Sequence, residues 1–226
     1  MNRRLWLLLV ASIVILVLLD ALGSKNYLLL SFVFLFVTMG VYFWRFDHSQ
    51  KNSREVVFIA IICALAVAGR IALAAFSSLK PELFILILGA IVSGPETGFL
   101  MGTIIALASN MYFGQGAWTP WQMFALGVVG IISGLMSDKK VRIWLLTIWG
   151  FATGFLYGWI MDIYFILGFV KPITMKSTIA AIVASVPFDF THAAFTAVLI
   201  FLLGKAWIKI FQRYKVKYDL FNDQLE

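Results

Sequence analysis

The sequence contains few charged residues and almost no cysteine. Only 13% of its 226 residues are charged, and Cys63 is its one cysteine. A soluble domain typically carries about 25% charged residues, so the composition excludes an ordinary water-soluble protein. A single cysteine permits no intrachain disulfide and no cysteine-based metal site. The chain also lacks a glycine-rich phosphate loop and a His-Glu-x-x-His zinc helix. We therefore expect no ATP hydrolysis by a phosphate-loop site, no resident metal and no cofactor.

Apolar residues dominate what is present. They make up 62% of the chain, and the mean hydropathy is +0.95, which indicates an integral membrane protein. A membrane-spanning helix needs roughly 20 predominantly apolar residues. The apolar runs predict an all-α protein with about eight transmembrane helices, at 5–22, 27–45, 56–77, 82–94, 97–113, 120–136, 143–168 and 187–208. Arg3 and Arg4 precede the first run without a convincing cleavage site after it, so we interpret this run as retained.

The basic residues predict the orientation in the membrane. Of the 18 lysines and arginines, thirteen fall in the tails and loops of one side and four in the loops of the other. Positive charge marks the cytoplasmic side, so we expect a multi-pass cell-membrane protein with both termini in the cytoplasm. Basic residues that alternate with apolar runs indicate topology and give no reason to expect nucleic acid as a partner. The segment from Phe169 to Val186 is then outside, where it could form a lid.

Three regions follow from the pattern of polar residues. A charged linker after residue 46 separates an N-terminal transmembrane hairpin, 1–46, from a membrane core over 54–208, and a basic cytoplasmic tail covers 209–226. Within the core, one helix from Thr178 to Trp207 would be too long. We expect Pro187 to begin the final helix, since proline suits a first turn.

The stretch Ser109–Met123 concentrates polar and aromatic groups between two apolar runs. Indole rings offer flat contact area and amides fix orientation, which is typical of a site for a large, partly apolar ligand. An interfacial aromatic belt, common in membrane proteins, is the alternative. A belt alone would not require the neighbouring amides. The candidate binding residues here are Asn110, Gln115, Trp118, Trp121 and Gln122.

Four ionisable residues lie within the predicted outer half of the core. Charges inside a membrane are costly, and they face a bundle interior or a cavity. Asp189 and His192 are three residues apart and share a helix face. Buried ions are normally paired, so we expect Arg70 to pair with Asp162 or Asp189. Such a pair would hold helices together, and the same network could line a binding pocket.

Small residues recur every four positions along three helices. Ala60, Ala64 and Ala68 form one such stripe, and glycines form two others. Small-xxx-small stripes allow close helix approach, mostly inside a bundle. Arg70 is two residues past Ala68, roughly 200° around the helix. If Arg70 faces the interior, the alanine stripe faces outward and is suited to a partner helix.

Together these residues resemble the S components of energy-coupling factor (ECF) vitamin transporters. The resemblance covers about 54–208. It lies in the alanine stripe, Arg70, Ser109-Asn110, the run Gly114–Met123, and Pro187-Phe188-Asp189 followed by His192. Within that run, Trp-Thr-Pro-Trp-Gln-Met is the most specific string. The chain looks closest to the cobalamin-type S components, although Ala117 stands where that subgroup usually has proline. The N-terminal hairpin departs from a plain six-helix S component.

The resemblance implies a fold, a substrate and partners. It implies a six-helix core that binds a vitamin, most naturally cobalamin, from outside at Arg70, Asp162, Asp189, His192 and the loop residues above. It also implies docking by Ala60, Ala64 and Ala68, within the lipid membrane, onto a scaffold subunit driven by two cytoplasmic ATPases. A queuosine-type precursor or another vitamin is an alternative substrate. A self-contained carrier is an alternative function, but it would predict internal repeats.

We expect no enzymatic activity in this chain. Ser133 and His192 could suggest an intramembrane serine hydrolase. They are predicted near opposite ends of their helices, whereas a nucleophile and its base must lie about 3 Å apart.

Overall fold

The computed structural model describes residues 27–47, 52–76, 78–137 and 142–221, and all regular structure in these ranges is helical. The helices are α1 Tyr27–Asp47, α2 Ser53–Ala72, α3 Glu82–Ser93, α4 Pro95–Phe113, α5 Thr119–Gly134, α6 Ile143–Phe169 and α7 Met175–Tyr218. The all-α prediction is confirmed for these residues. By length and composition α2, α6 and α7 could cross a membrane, and α3 is a shorter apolar helix. The predicted span at 5–22 lies outside the described residues, so the total of eight spans stays a prediction.

Local sequence explains where several helices begin and end. The Asn52 side chain accepts a hydrogen bond from the Arg54 N–H at 3.2 Å and so caps the start of α2. Gly94 has φ of +87°, which glycine adopts without strain, and Pro95 then opens α4. Gly114, with φ of +100°, follows the end of α4. These positions agree with the predicted bounds to within a few residues.

The last helix differs from the prediction. Pro187 does not begin it; α7 runs unbroken over 44 residues with Pro187 inside. A capping box between Thr174 and Ser177 starts the helix three turns earlier than expected. Proline removes one backbone hydrogen bond, and helices in membranes tolerate this. The predicted lid is therefore wrong, because only residues 170–174 separate α6 from α7. Residues 209–218, assigned to the tail, continue α7.

Glycines allow two pairs of helices to approach closely. A Cβ at Gly98 would overlap the Gly130 carbonyl, and a Cβ at Gly154 would overlap the backbone of Ala193. The first contact joins α4 to α5, and the second joins α6 to α7. The glycine stripes thus pack inside the bundle, as predicted.

α3 is the centre of the fold, and every one of its residues is buried. It contacts α2, α4, α5, α6 and α7. This central position carries Glu82, at the start of α3, into the interior. α1 lies against α4, α5 and α6, where Leu35 packs with Trp121 and Tyr164.

Candidate functional site

Three ionisable side chains from three different helices meet in the interior, and we call them the charged cluster: Arg70, Glu82 and His192. Arg70 Nε lies 4.0 Å from Glu82 Oε1, and His192 Nε2 lies 3.8 Å from the same oxygen. Glu82 and His192 are each 1% exposed, and Arg70 is 3% exposed. The end of α2, the start of α3 and the middle of α7 position these groups, so the cluster depends on the assembled bundle.

Most polar atoms of the charged cluster have no hydrogen-bond partner among the described residues. These atoms are Arg70 Nε, both carboxylate oxygens of Glu82 and both ring nitrogens of His192. The contacts to Glu82 exceed 3.5 Å, beyond ordinary hydrogen-bond length. Arg70 is held at another atom, because its Nη1 donates to Ser109 Oγ at 2.7 Å. The cluster therefore retains both donors and acceptors for a further group.

Aromatic rings surround the charged cluster. The Arg70 guanidinium carbon lies 5.3 Å from the centre of the Phe113 ring. Tyr157 meets His192 edge to face, with ring centres 5.7 Å apart. Such rings offer apolar and cation–π contact around a polar centre. Lys80 lies in the loop before α3, and burial lowers the pKa of its ammonium group. The nearby Glu82 carboxylate raises this pKa, and the Arg70 charge lowers it further.

Asp162 and Asp189 form a second group, joined by Ser185. Ser185 Oγ lies 2.8 Å from Asp162 Oδ2 and 3.1 Å from Asp189 Oδ2. Gly158 makes room for this arrangement, because a Cβ there would overlap the Asp189 carboxylate. The prediction that Arg70 pairs with Asp162 or Asp189 is wrong: the carboxylate beside Arg70 is Glu82. Asp189 and His192 are both buried on α7, as their spacing predicted.

The predicted amide residues bond to one another. Asn110 Nδ2 donates to Gln122 Oε1 at 2.8 Å and to Thr119 Oγ1 at 3.1 Å. The Thr119 hydroxyl accepts from the Gly116 N–H and donates to Gln115 Oε1 at 2.9 Å. Thr119 is thus the hub of the loop and the first residue of α5. The network fixes the loop and leaves these amides less available to a ligand.

The two tryptophans of the loop occupy different environments. Trp118 is 41% exposed, whereas Trp121 is 5% exposed. Trp121 packs against Tyr164 with ring centres 6.0 Å apart, and its Nε1 has no hydrogen-bond partner among the described residues. Trp118 is therefore available for stacking, and Trp121 serves mainly as packing between α5 and α6.

Glu82 belongs to the charged cluster, and Ser185 joins Asp162 to Asp189. The sequence did not predict either residue as part of a site. Glu82 begins an apolar run, and it was not predicted among the intramembrane charges. Ser185 fell in the predicted lid. Ser185 and Asp189 are four residues apart, a spacing that places two side chains on one helix face. That signal was hidden by the prediction of a helix start at Pro187.

The alanine stripe lies on the outside of α2. Ala60, Ala64 and Ala68 are all exposed, while Arg70 is buried. The predicted opposition between the stripe and Arg70 is therefore confirmed. The stripe gives α2 a smooth face that is not buried by any other described residue. A helix of another protein could therefore contact it.

Comparisons with known proteins identify a family and several relatives. The family model for the S component of the ECF-type riboflavin transporter matches residues 50–209. A UPF0397 protein from Aliivibrio salmonicida is 36% identical over 102 residues, covering 42% of this chain and 55% of the relative. One from Aliivibrio fischeri is 36% identical over 89 residues, and one from Vibrio atlanticus is 34% identical over 89 residues, each covering 37% of this chain and 48% of the relative.

The chain spans about half the length of the curated relatives it matches. No solved structure matches it significantly. The family match covers well over half of the chain, including α2 to α6 and most of α7. The matching family is described as an S component of a transporter. This chain belongs to the ECF-type riboflavin transporter S-component family.

Proposed function

We propose that this protein captures a vitamin from outside the cell and delivers it to an ATP-driven ECF importer. The ligand would bind at the charged cluster, beneath the loop that carries Trp118. The chain would be a multi-pass cell-membrane protein with both termini in the cytoplasm, as the distribution of basic residues favours.

The unpartnered atoms of the charged cluster are the observation that carries this proposal. Buried polar groups are ordinarily hydrogen-bonded, and each unsatisfied one costs about 1–3 kcal/mol. Here five such atoms belong to Arg70, Glu82 and His192 alone. A ligand that accepts from Arg70 Nε and donates to both Glu82 oxygens would satisfy three of them, and a further polar group of the ligand would be needed for His192. Its binding energy would then come from groups that have no hydrogen-bond partner among the described residues.

Two vitamins are the leading candidates. Cobalamin is favoured by the Trp-Thr-Pro-Trp-Gln-Met string and by the exposed ring of Trp118, which could stack on a corrin. The bonds among Asn110, Gln115 and Gln122 weaken one part of that argument, because these amides already have partners. Riboflavin is favoured by the family name and by its chemistry, since one edge of its ring system presents carbonyl acceptors beside an N–H donor. A queuosine-type precursor is a third candidate.

Docking to the partner subunits would use the alanine stripe. Lipid offers no hydrophobic drive for helix association, so close contact depends on small side chains. Ala60, Ala64 and Ala68 present such a surface on the side of α2 opposite Arg70. We propose that a membrane scaffold subunit packs here and that two cytoplasmic ATPases act on the scaffold. Substrate capture and docking would thus use two faces of one helix.

A titration panel tests the proposed site. Cobalamin, riboflavin and a queuosine precursor would each be titrated into the purified chain, its Arg70→Gln variant and its Arg54→Gln variant. Arg54 is the matched control, because it is exposed at the start of the same helix. We expect one compound to bind the wild type and the Arg54 variant alike, with at least tenfold weaker binding to the Arg70 variant. Equal binding to all three proteins would place the ligand elsewhere.

A further inference from the structure

The last four turns of α7 cross one end of the bundle. Gly204 lies beside Ile143 at the start of α6. Farther along, Lys215 Nζ donates to the Val92 carbonyl at 3.1 Å, near the end of α3. The Phe221 N–H then donates to Glu55 Oε1 at 2.6 Å, in the first turn of α2. One side of this segment is thus fixed to the bundle, and the other side points away.

Four cations occupy the side that points away, and we call them the cationic ladder: Lys205, Lys209, Arg213 and Lys217. They recur every fourth residue, so neighbours are about 6 Å apart along the axis and the whole ladder spans about 18 Å. All four are exposed. Among the described residues none of them forms an ion pair, and only Lys217 has an aromatic contact, to Tyr218.

The four cations of the ladder share one helix face, and membrane orientation alone would not require this. Basic residues set membrane orientation through the side on which they lie, not through the helix face that they share. Lys215 demonstrates the difference, because it points inward and bonds to the end of α3. The four remaining cations of the segment instead form one continuous strip. Such a strip matches an array of negative charges.

An apolar stripe runs beside the ladder. Leu203, Ile210 and Tyr214 are exposed and fall within about 40° of one another around the helix. Leu203 continues the exposed apolar surface of α7, which includes Phe201 and Leu202. Apolar side chains that flank a row of lysines and arginines are typical of a helix at a membrane interface. An acidic protein segment would need the ladder but would leave this continuity with the lipid-facing surface unexplained.

We propose that the cationic ladder binds the headgroups of anionic phospholipids in the cytoplasmic leaflet. Leu203, Ile210 and Tyr214 would contact the acyl chains, while the ladder contacts the phosphates. Clusters of four or more basic residues next to a membrane helix attract anionic lipid, by about 1 kcal/mol for each residue near the surface. The contact would fasten the crossing segment, and with it the end of α3 and the start of α2, to the membrane surface.

Native mass spectrometry of the full-length protein tests this inference. The protein in detergent would be titrated with phosphatidylglycerol and with phosphatidylcholine of the same acyl chains. We expect the wild type to bind phosphatidylglycerol preferentially. An Arg213→Gln/Lys217→Gln variant should bind it about 30-fold more weakly, the equivalent of ~1 kcal/mol for each cation removed. Added salt should also weaken the binding, since exposed charges are screened.

Two controls separate the ladder from net charge and from misfolding. A Lys171→Gln/Lys176→Gln variant removes the same charge from the other side of the protein and should bind phosphatidylglycerol like the wild type. An Arg213→Lys/Lys217→Arg variant keeps the charge and should also bind normally. Equal affinity for the two lipids, or equal losses in both glutamine variants, would overturn the proposal. If the Arg213→Gln/Lys217→Gln variant still bound phosphatidylglycerol but no longer co-purified with partner subunits, the proposal would be overturned in favour of an acidic protein partner.

Discussion

Replacing Glu82 with alanine tests the structural assignment of the charged cluster. The change removes the carboxylate beside Arg70 and leaves the guanidinium buried. At the observed 4.0 Å, Coulomb's law with an effective dielectric constant of 20 gives about 4 kcal/mol of lost attraction. Removing one partner of a buried pair costs about 3–5 kcal/mol, so both estimates agree. Ser109 still bonds to Arg70 in the variant and limits the loss.

Thermal unfolding of the purified, ligand-free protein in detergent measures this effect. For a chain of this size, each kcal/mol lowers the midpoint by about 2–4 °C, so we expect a decrease of about 8–16 °C. An Arg70→Ala/Glu82→Ala double variant should be more stable than the sum of the single changes predicts, because the remaining charge is then absent. Adding Asp162→Ala to the Arg70→Ala variant should not raise its unfolding midpoint.

Two results would refute this reasoning. One is an unchanged midpoint for Glu82→Ala, which would mean that Arg70 does not depend on the carboxylate. The other is recovery of the Arg70→Ala variant by Asp162→Ala instead of by Glu82→Ala. That outcome would restore the pairing predicted from the sequence.

Three further predictions concern the loop, the docking face and the end of the chain. Trp118→Ala should weaken ligand binding at unchanged stability, whereas Trp121→Ala should lower the unfolding midpoint because its ring is packed in the core; the reverse pattern in titration and unfolding would contradict this. Ala64→Trp should abolish co-purification with scaffold and ATPase subunits while ligand binding persists, and Phe201→Trp on the exposed face of α7 is its control. An assembled Ala64→Trp transporter would disprove the docking role. Phe221→Ala should cost about 3–5 kcal/mol in denaturant unfolding, since the ring is 2% exposed; an unchanged transition would mean that the terminal segment does not stabilise the bundle.

The sequence predicted most helices because each apolar run has its own start or stop signal. Gly94-Pro95 and Gly114 act through local backbone conformation, so their effects could be predicted without knowing the fold. The outward position of the alanine stripe was predicted for a related reason, since its angle to Arg70 follows from helix geometry alone. Pro187 was misjudged because its tolerance depends on the surrounding bundle and on the capping box at Thr174 and Ser177.

The sequence predicted some residues of the site, but it did not predict which residues contact one another. Arg70 and His192 were expected in a polar site, and both lie in the charged cluster. Their shared neighbour Glu82 comes from a helix whose burial on all sides is a tertiary property. Asn110 and Gln122 were expected to face a ligand, but the hydroxyl of Thr119 and their own proximity give them partners within the loop. Pairing of this kind depends on ångström-scale positions that a sequence pattern does not contain.

Native mass spectrometry of the chain with its bound small molecule tests the central claim most directly. Wild-type protein, incubated with the vitamin panel and transferred from detergent, should carry one vitamin molecule per chain. The Glu82→Gln variant should carry much less, and Glu96→Gln, in the first turn of α4, should match the wild type. Binding of no panel compound, or equal occupancy in all three proteins, would contradict a vitamin site at the charged cluster.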